Sequence, residues 1–273
     1  MHALICVSSM PYAAPTLQQG SLLAGLQAAT VTLLTVVPSE AERPFATTTL
    51  AAARNTLAAP VAETKIRVGH AAAEILAETQ DHPYDLVVVG AHVVRGFWDP
   101  LVKSVPQRVL SRAAAPLLIA RGANTTINRI LICTNGHDVS RPVVKAGARL
   151  ARAAAAHANI LHVVHNVPGM YTGLPEMPET LPGLLQSNTP IAKHLKWSSA
   201  YLHRKGVSGN LKLRSGIVAD EILEETNQGS YDLVVVGIRP DQNVLTGLLV
   251  GSVTPRLVDH ALCSVLVVRM KPA

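Results

Sequence analysis

The stretch Tyr84-Asp85-Leu86-Val87-Val88-Val89-Gly90 returns letter for letter as Tyr231-Asp232-Leu233-Val234-Val235-Val236-Gly237. A seven-residue identity between two halves of one chain exceeds chance, and further pairs flank it. Leu4-Ile5-Cys6 answers to Leu131-Ile132-Cys133, Arg67-Val68-Gly69 to Arg214-Ser215-Gly216, and Ser104-Val105 to Ser252-Val253. One unit is written twice, so each residue has an internal counterpart. Positions where the copies differ point to function.

The repeated heptapeptide is an apolar, β-branched run closed by glycine, the pattern of a strand covered on both faces. Around it, copy one reads as strands at 3–7, 31–37, 65–68, 85–89 and 116–120, separated by helical stretches at 16–28, 47–59, 71–79 and 105–114. Copy two repeats the order with strands at 129–134, 159–165, 211–214, 232–236 and 265–269, and helices at 141–157, 191–205, 218–227 and 253–261. Strands alternating with helices imply right-handed crossovers and a parallel sheet, hence an α/β fold. Residues 122–126 form the natural linker, dividing the chain into domains at 1–122 and 127–273.

The 273 residues suit two domains of ordinary size. Hydrophobic residues make up 48% and charged ones 15%, which excludes a disordered chain. No uninterrupted apolar run is long enough for a membrane span. The start lacks the basic region and apolar core of a secretion signal, so the cytoplasm is the expected compartment. Three cysteines without C-x-x-C spacing predict neither a disulfide framework nor a zinc site. A net charge of +6 implies a mild affinity for anions. The basic residues look scattered along the chain, and only two Trp, five Tyr and two Phe are present. Nucleic acid is therefore not an expected partner.

With five strands wound outward from the first, the winding direction reverses between strands one and four, and ligands bind at the carboxyl ends there. In copy two these ends are Cys133-Thr134-Asn135-Gly136-His137 and the stretch from Val236-Gly237 through Gly251-Ser252-Val253-Thr254. Gly237 can turn freely. Gly251-Ser252 opens a helix, offering free N–H groups and a hydroxyl to a phosphate, and Arg239 adds charge. The plain alternative is a glycine turn with Ser252 as an ordinary helix cap.

Together, D-L-V-V-V-G, the glycine loop, G-S-V-x-x-R-[LV] and the closing V-L-V-V-R resemble the universal stress protein family over nearly the whole chain, as a tandem pair. The resemblance implies two tandem five-stranded parallel-sheet domains of the adenine nucleotide α-hydrolase-like fold, with strand order 3-2-1-4-5. It also implies a stress-response regulatory role without catalysis. Some family members bind ATP through the pattern G-2x-G-9x-G-[ST]. In copy two Gly237, Gly251 and Ser252 match that pattern, followed by Val253 and Thr254. Cys133, Thr134, Asn135 and Val163 fall where such members hold adenine and ribose. The implied ligand is ATP, ADP or AMP, with or without magnesium. The family likewise implies an intrachain pseudo-dimer through residues 117–120 and 266–269, and leaves a homodimer open.

Departures from the pattern matter. Pro240 replaces the middle glycine, ten residues rather than nine precede Gly251, and Asn135 stands for an aspartate. Copy one departs further, with Val93 and Lys103 at the later glycine positions and Ser8 at the aspartate position, so it reads as a partner domain. Two rival functions stay open: an interaction scaffold without nucleotide, and a slow ATPase.

Other features read more plainly. His162 and His165 sit at an odd separation on a strand, which sends them to opposite faces and argues against chelation. Cys6 and Cys133 read as small buried hydrophobes, and Asp85 and Asp232 as strand-entry residues. Asp259-His260 with Ser252 lacks the setting of a hydrolase triad. Trp98 reads as an exposed contact, and residues 166–190 form a Pro/Gly-rich insertion suited to a lid or a docking segment.

Overall fold

The computed structural model describes residues 1–91, 104–164, 180–239 and 253–270. By internal contacts the chain divides into two units. Among the described residues, unit one is those of 1–126 with 262–267, and unit two holds the others from Ile127.

In unit one, β1 (His2–Cys6), β2 (Thr30–Val37), β3 (Val61–Val68), β4 (Leu86–Gly90) and β5 (Leu117–Ala120) lie in the order β3-β2-β1-β4-β5. All four pairings are parallel, as the strand–helix alternation predicts. Leu4, Ile5, Val31, Leu33, Val87 and Val88 have no accessible surface, because helices cover both faces of these central strands. The helices are α1 (Ala14–Leu26), α2 (Arg43–Thr56), α3 (Ala71–Asp81) and α4 (Val105–Arg112). Inside the same unit, Val265, Leu266 and Val267 of β10 (Ser264–Arg269) pair antiparallel with Ile119, Leu118 and Leu117. The Ser264 hydroxyl fixes that register by donating to the Arg121 carbonyl and accepting from the Arg121 N–H, both at 3.0 Å.

Unit two repeats the plan. Here β6 (Arg129–Thr134), β7 (His157–Val164), β8 (Leu211–Ser215) and β9 (Leu233–Ile238) run parallel in the order β9-β6-β7-β8. The helices are α5 (Arg141–Ala154), α6 (Leu181–Gln186), α7 (Pro190–Arg204), α8 (Val218–Gly229) and α9 (Val253–His260). Because β6 to β7 and β7 to β8 step in one direction, right-handed crossovers put α5 and α7 on the same face.

Some boundaries move from their expected places. β3 begins at Val61 because β2 pairs with it through a bulge, Val31 facing Val61 and Thr32 facing Glu63. Part of the stretch 166–190 is helical. Thr180 accepts a hydrogen bond from the Gly183 N–H, Pro182 fits the first turn, and Leu184 is buried. Among the described residues no helix is long and apolar enough to cross a membrane.

The duplication extends to a buried polar cluster. In unit one the Glu78 carboxylate accepts from Lys65 Nζ at 2.7 Å, Arg67 Nε at 2.8 Å and the Tyr84 hydroxyl at 2.8 Å. In unit two Glu225 accepts from Lys212 Nζ at 2.5 Å, Arg214 at 3.3 Å and the Tyr231 hydroxyl at 2.9 Å. Burial raises the Glu78 carboxyl, but the hydrogen bonds outweigh it and hold the pKa down at about 2. Asp85 and Asp232 stand one residue before β4 and β9 and tie those strands to the neighbouring first strand. Asp85 accepts from the His2 N–H, and Asp232 from the N–H groups of Asn128 and Arg129.

Candidate functional site

β6 and β9 are hydrogen-bonded neighbours in unit two, with Ile130, Leu131 and Ile132 opposite Leu233, Val234 and Val235. The chain leaves β6 for β7 on one side, while β9 lies on the other. The winding therefore reverses at this pair, and its carboxyl ends bring two of the expected segments together.

The end of β6 is tightly bonded. The Thr134 hydroxyl lies 2.8 Å from His194 Nε2 and accepts from the Gly136 N–H at 3.2 Å. The Thr134 carbonyl lies 3.1 Å from His162 Nδ1. Asn135 is exposed, and its Oδ1 accepts from the His137 N–H at 3.0 Å and from the Ser140 hydroxyl. Gly136 has φ +80°, and a Cβ there would come 2.9 Å from His162 Cε1 and 3.0 Å from Ile191. Only glycine fits, because both the backbone and the space demand it. Val163, at the end of β7, is buried.

Cys6 and Cys133 keep a little exposed surface, and burial raises the Cys6 thiol pKa, as expected of a buried position. They sit at or next to the last residue of β1 and β6, where the sheet opens at its carboxyl edge.

At the end of β9, Val236 is buried and Gly237 and Arg239 are partly exposed. A Cβ at Gly237 would come 2.7 Å from Met270 Sδ and 2.8 Å from Val143 Cγ2, so this glycine lets two side chains close over the strand. Thr254, in the first turn of α9, donates its hydroxyl to the Gly237 carbonyl at 3.2 Å and is itself buried. That bond holds the start of α9, with half-buried Val253, against the strand end. Pro240, Gly251 and Ser252 lie outside the described residues, as do Val93, Trp98, Lys103 and His165. Ser104, the counterpart of Ser252, forms a capping box with Gln107.

His194, Asp138 and Ile191 were not among the residues singled out from the sequence. His194 is 1% exposed, and its Nδ1 lies 3.6 Å from Asp138 Oδ1. Burial lowers its pKa, against an upward pull from Asp138. The signal was present: Ile191, His194, Leu195, Ser198 and Leu202 follow helical spacing, and that period marks His194 as inward-facing.

A magnesium ion finds little here. Among the described residues no cluster of three His, Cys, Asp or Glu side chains could hold a metal. Asn135, at the position of the family's aspartate, already accepts two hydrogen bonds and carries no charge. These residues do not fit a protein-bound metal.

The sequence profile of the universal stress protein family matches residues 1–121 and again 126–269. The chain belongs to that family, as a tandem pair of its domains. It is 31% identical to universal stress protein MJ0531 of Methanocaldococcus jannaschii over 153 residues, which is 55% of this chain and 87% of that protein. It is 28% identical to universal stress protein YxiE of Bacillus subtilis over 150 residues, 52% of this chain and 99% of that protein. Among solved structures, a universal stress protein from Archaeoglobus fulgidus matches with a TM-score of 0.66 at 14% identity, covering 98% of each chain. The two-domain fold is thus shared along the full length.

Proposed function

We propose that the domain at 127–273 binds an adenine nucleotide, ATP in the first instance, and acts as a regulatory module in a stress response. The domain at 1–122 serves as its companion. The base would lie against Cys133–Asn135 and Val163, and the phosphates against Gly237, Arg239 and the start of α9 from Gly251 to Thr254. One observation carries this reading. The carboxyl ends of β6 and β9 meet where the winding reverses, and the Thr254 hydroxyl pins a helix start beside them. Because the hydroxyl and carbonyl of Thr134 are engaged by His194, Gly136 and His162, ribose contacts would come from Asn135 and the backbone.

Isothermal titration of the full chain with ATP, ADP and AMP at millimolar concentration tests the reading. Saturable heat that disappears in Gly251→Trp supports it, and absence of heat from all three nucleotides removes it. The engagement of Thr134 favours a second reading, an interaction module without nucleotide, which predicts that absence of heat.

A further inference from the structure

We propose that the outer face of α5 and α7 in unit two is a docking surface for single-stranded nucleic acid. α5 carries Arg141, Lys145, Arg149 and Arg152, spaced four, four and three residues apart. At 3.6 residues per turn, these positions fall within an arc of about 80°. α7 carries Lys193, Trp197, Tyr201 and Arg204 at the same spacing, with Lys196 and the C-cap Lys205 beside them. The two helices touch through Arg141, whose guanidinium lies 4.6 Å above the Trp197 ring.

The charge is concentrated and unanswered. Eight of the chain's 24 Lys and Arg lie here, and neither helix contains an Asp or Glu. The rest of the chain then holds 16 Lys and Arg against 18 Asp and Glu, so this face accounts for the net positive charge. Arg141 pairs with Asp138 at 3.0 Å. Lys145, Arg149, Arg152, Lys193, Lys196, Arg204 and Lys205 are exposed and make no ion pair with a described carboxylate. Residues that look scattered in sequence are gathered by the packing of two successive crossover helices.

The fold does not require this stripe. The offset that maps Leu4 onto Leu131 maps Arg141, Lys145, Arg149 and Arg152 onto Ala14, Gln18, Leu22 and Gly25 of α1. Those four residues line an open, mostly apolar groove of about 630 Å³ in unit one. One face of one ancestral helix has thus become apolar in the first copy and cationic in the second.

The aromatic pair selects the partner. Trp197 and Tyr201 are half-exposed and stacked, with ring centroids 5.2 Å apart and planes at 24°. Arg204 and Lys205 lie 5.8 and 5.7 Å from the Tyr201 ring. Half-exposed rings with cations lying over their faces offer apolar and cation–π contact to bases and charge to phosphates at once. An anionic bilayer would call for apolar side chains to insert, and none of the exposed large hydrophobic residues lies on these helices. An acidic protein would use the cations and leave the rings idle. The stripes run about 16 Å, at 1.5 Å per residue, which suits a short strand of about four nucleotides.

The test uses the full chain and a fluorescein-labelled 20-nucleotide single strand of mixed sequence, read by anisotropy at several KCl concentrations. We expect a dissociation constant of about 1–100 µM at low salt, weakening steeply as salt rises. The triple variant K145E/R149E/R152E, altered only at exposed positions, should bind at least tenfold more weakly with a shallower salt slope. In a Trp98→Phe background, Trp197 fluorescence should be quenched by the unlabelled strand. Absence of binding at low salt overturns the proposal, as does unchanged affinity after charge reversal or binding without Trp197 quenching. Heparin or phosphatidylglycerol vesicles binding as tightly as the oligonucleotide would also overturn it. ATP titration is a separate readout, so the two proposals stand or fall independently.

Discussion

His194 Nε2 sits 2.8 Å from Thr134 Oγ1, joining a helix of the 180–204 region to the last residue of β6. With the imidazole neutral, the Thr134 hydroxyl donates to Nε2 while accepting from the Gly136 N–H, and the loop before α5 is fixed from above.

That contact makes stability depend on mild acid. Burial lowers the pKa of His194 below its usual 6.5. The unfolded chain therefore binds more protons than the folded one as pH falls below about 6.5, and stability declines with it. Melting temperature measured between pH 8 and 5 should drop on the acid side for the native chain and flatten in His194→Leu. That variant should also lose about 1–3 kcal/mol at neutral pH, because the Thr134 hydroxyl loses its acceptor.

A second decline is expected at lower pH, from the twin carboxylates. Glu78 is held down at about 2 from 4.5, and Glu225 is lowered by the corresponding donors Lys212 and Tyr231 against its own burial. Groups with depressed folded pKa values stabilise above the unfolded value and lose that contribution as pH falls toward the folded one. Unfolding followed by circular dichroism from pH 5 to 2 should show this limb. Glu78→Gln should blunt it while lowering stability at pH 7 by about 1–3 kcal/mol.

Gly237 offers a test of packing against turn freedom. A Cβ there would meet Met270 and Val143, one flexible and one held on α5. Gly237→Val should destabilise by about 1–3 kcal/mol through overpacking. Adding Met270→Ala should recover part of the loss in thermal melts. If recovery fails, the contact with Val143, which is held on α5, fixes this glycine.

Much of this was legible before any coordinates. The repeated Leu-Val-Val-Val specified buried strands, because a short β-branched run apolar at every position suits a strand covered on both faces. The places of Gly237 at a strand end and Thr254 at a helix start were legible because such ends leave local marks. What stayed hidden depends on packing between segments distant in sequence. His194 reaches Thr134 across 60 residues. The cations of α5 and α7 read as scattered because adjacency of two crossover helices is set by topology, not by spacing.

Asn135 tests whether a lost charge or a lost shape separates this chain from the nucleotide-binding pattern it resembles. Its Oδ1 accepts from the His137 N–H and the Ser140 hydroxyl, and a carboxylate oxygen can accept the same two bonds. Asn135→Asp should therefore leave the loop and the melting temperature essentially unchanged while placing a negative charge at the end of β6. With magnesium present, the new carboxylate gains an ion-mediated link to the ATP phosphates. Without the ion it repels them. The variant should bind ATP about tenfold more tightly in magnesium than in EDTA, whereas the native chain should show a ratio near one. Equal ratios in the two proteins would place the phosphates out of reach of Asn135, leaving only base and ribose contacts at the β6 edge.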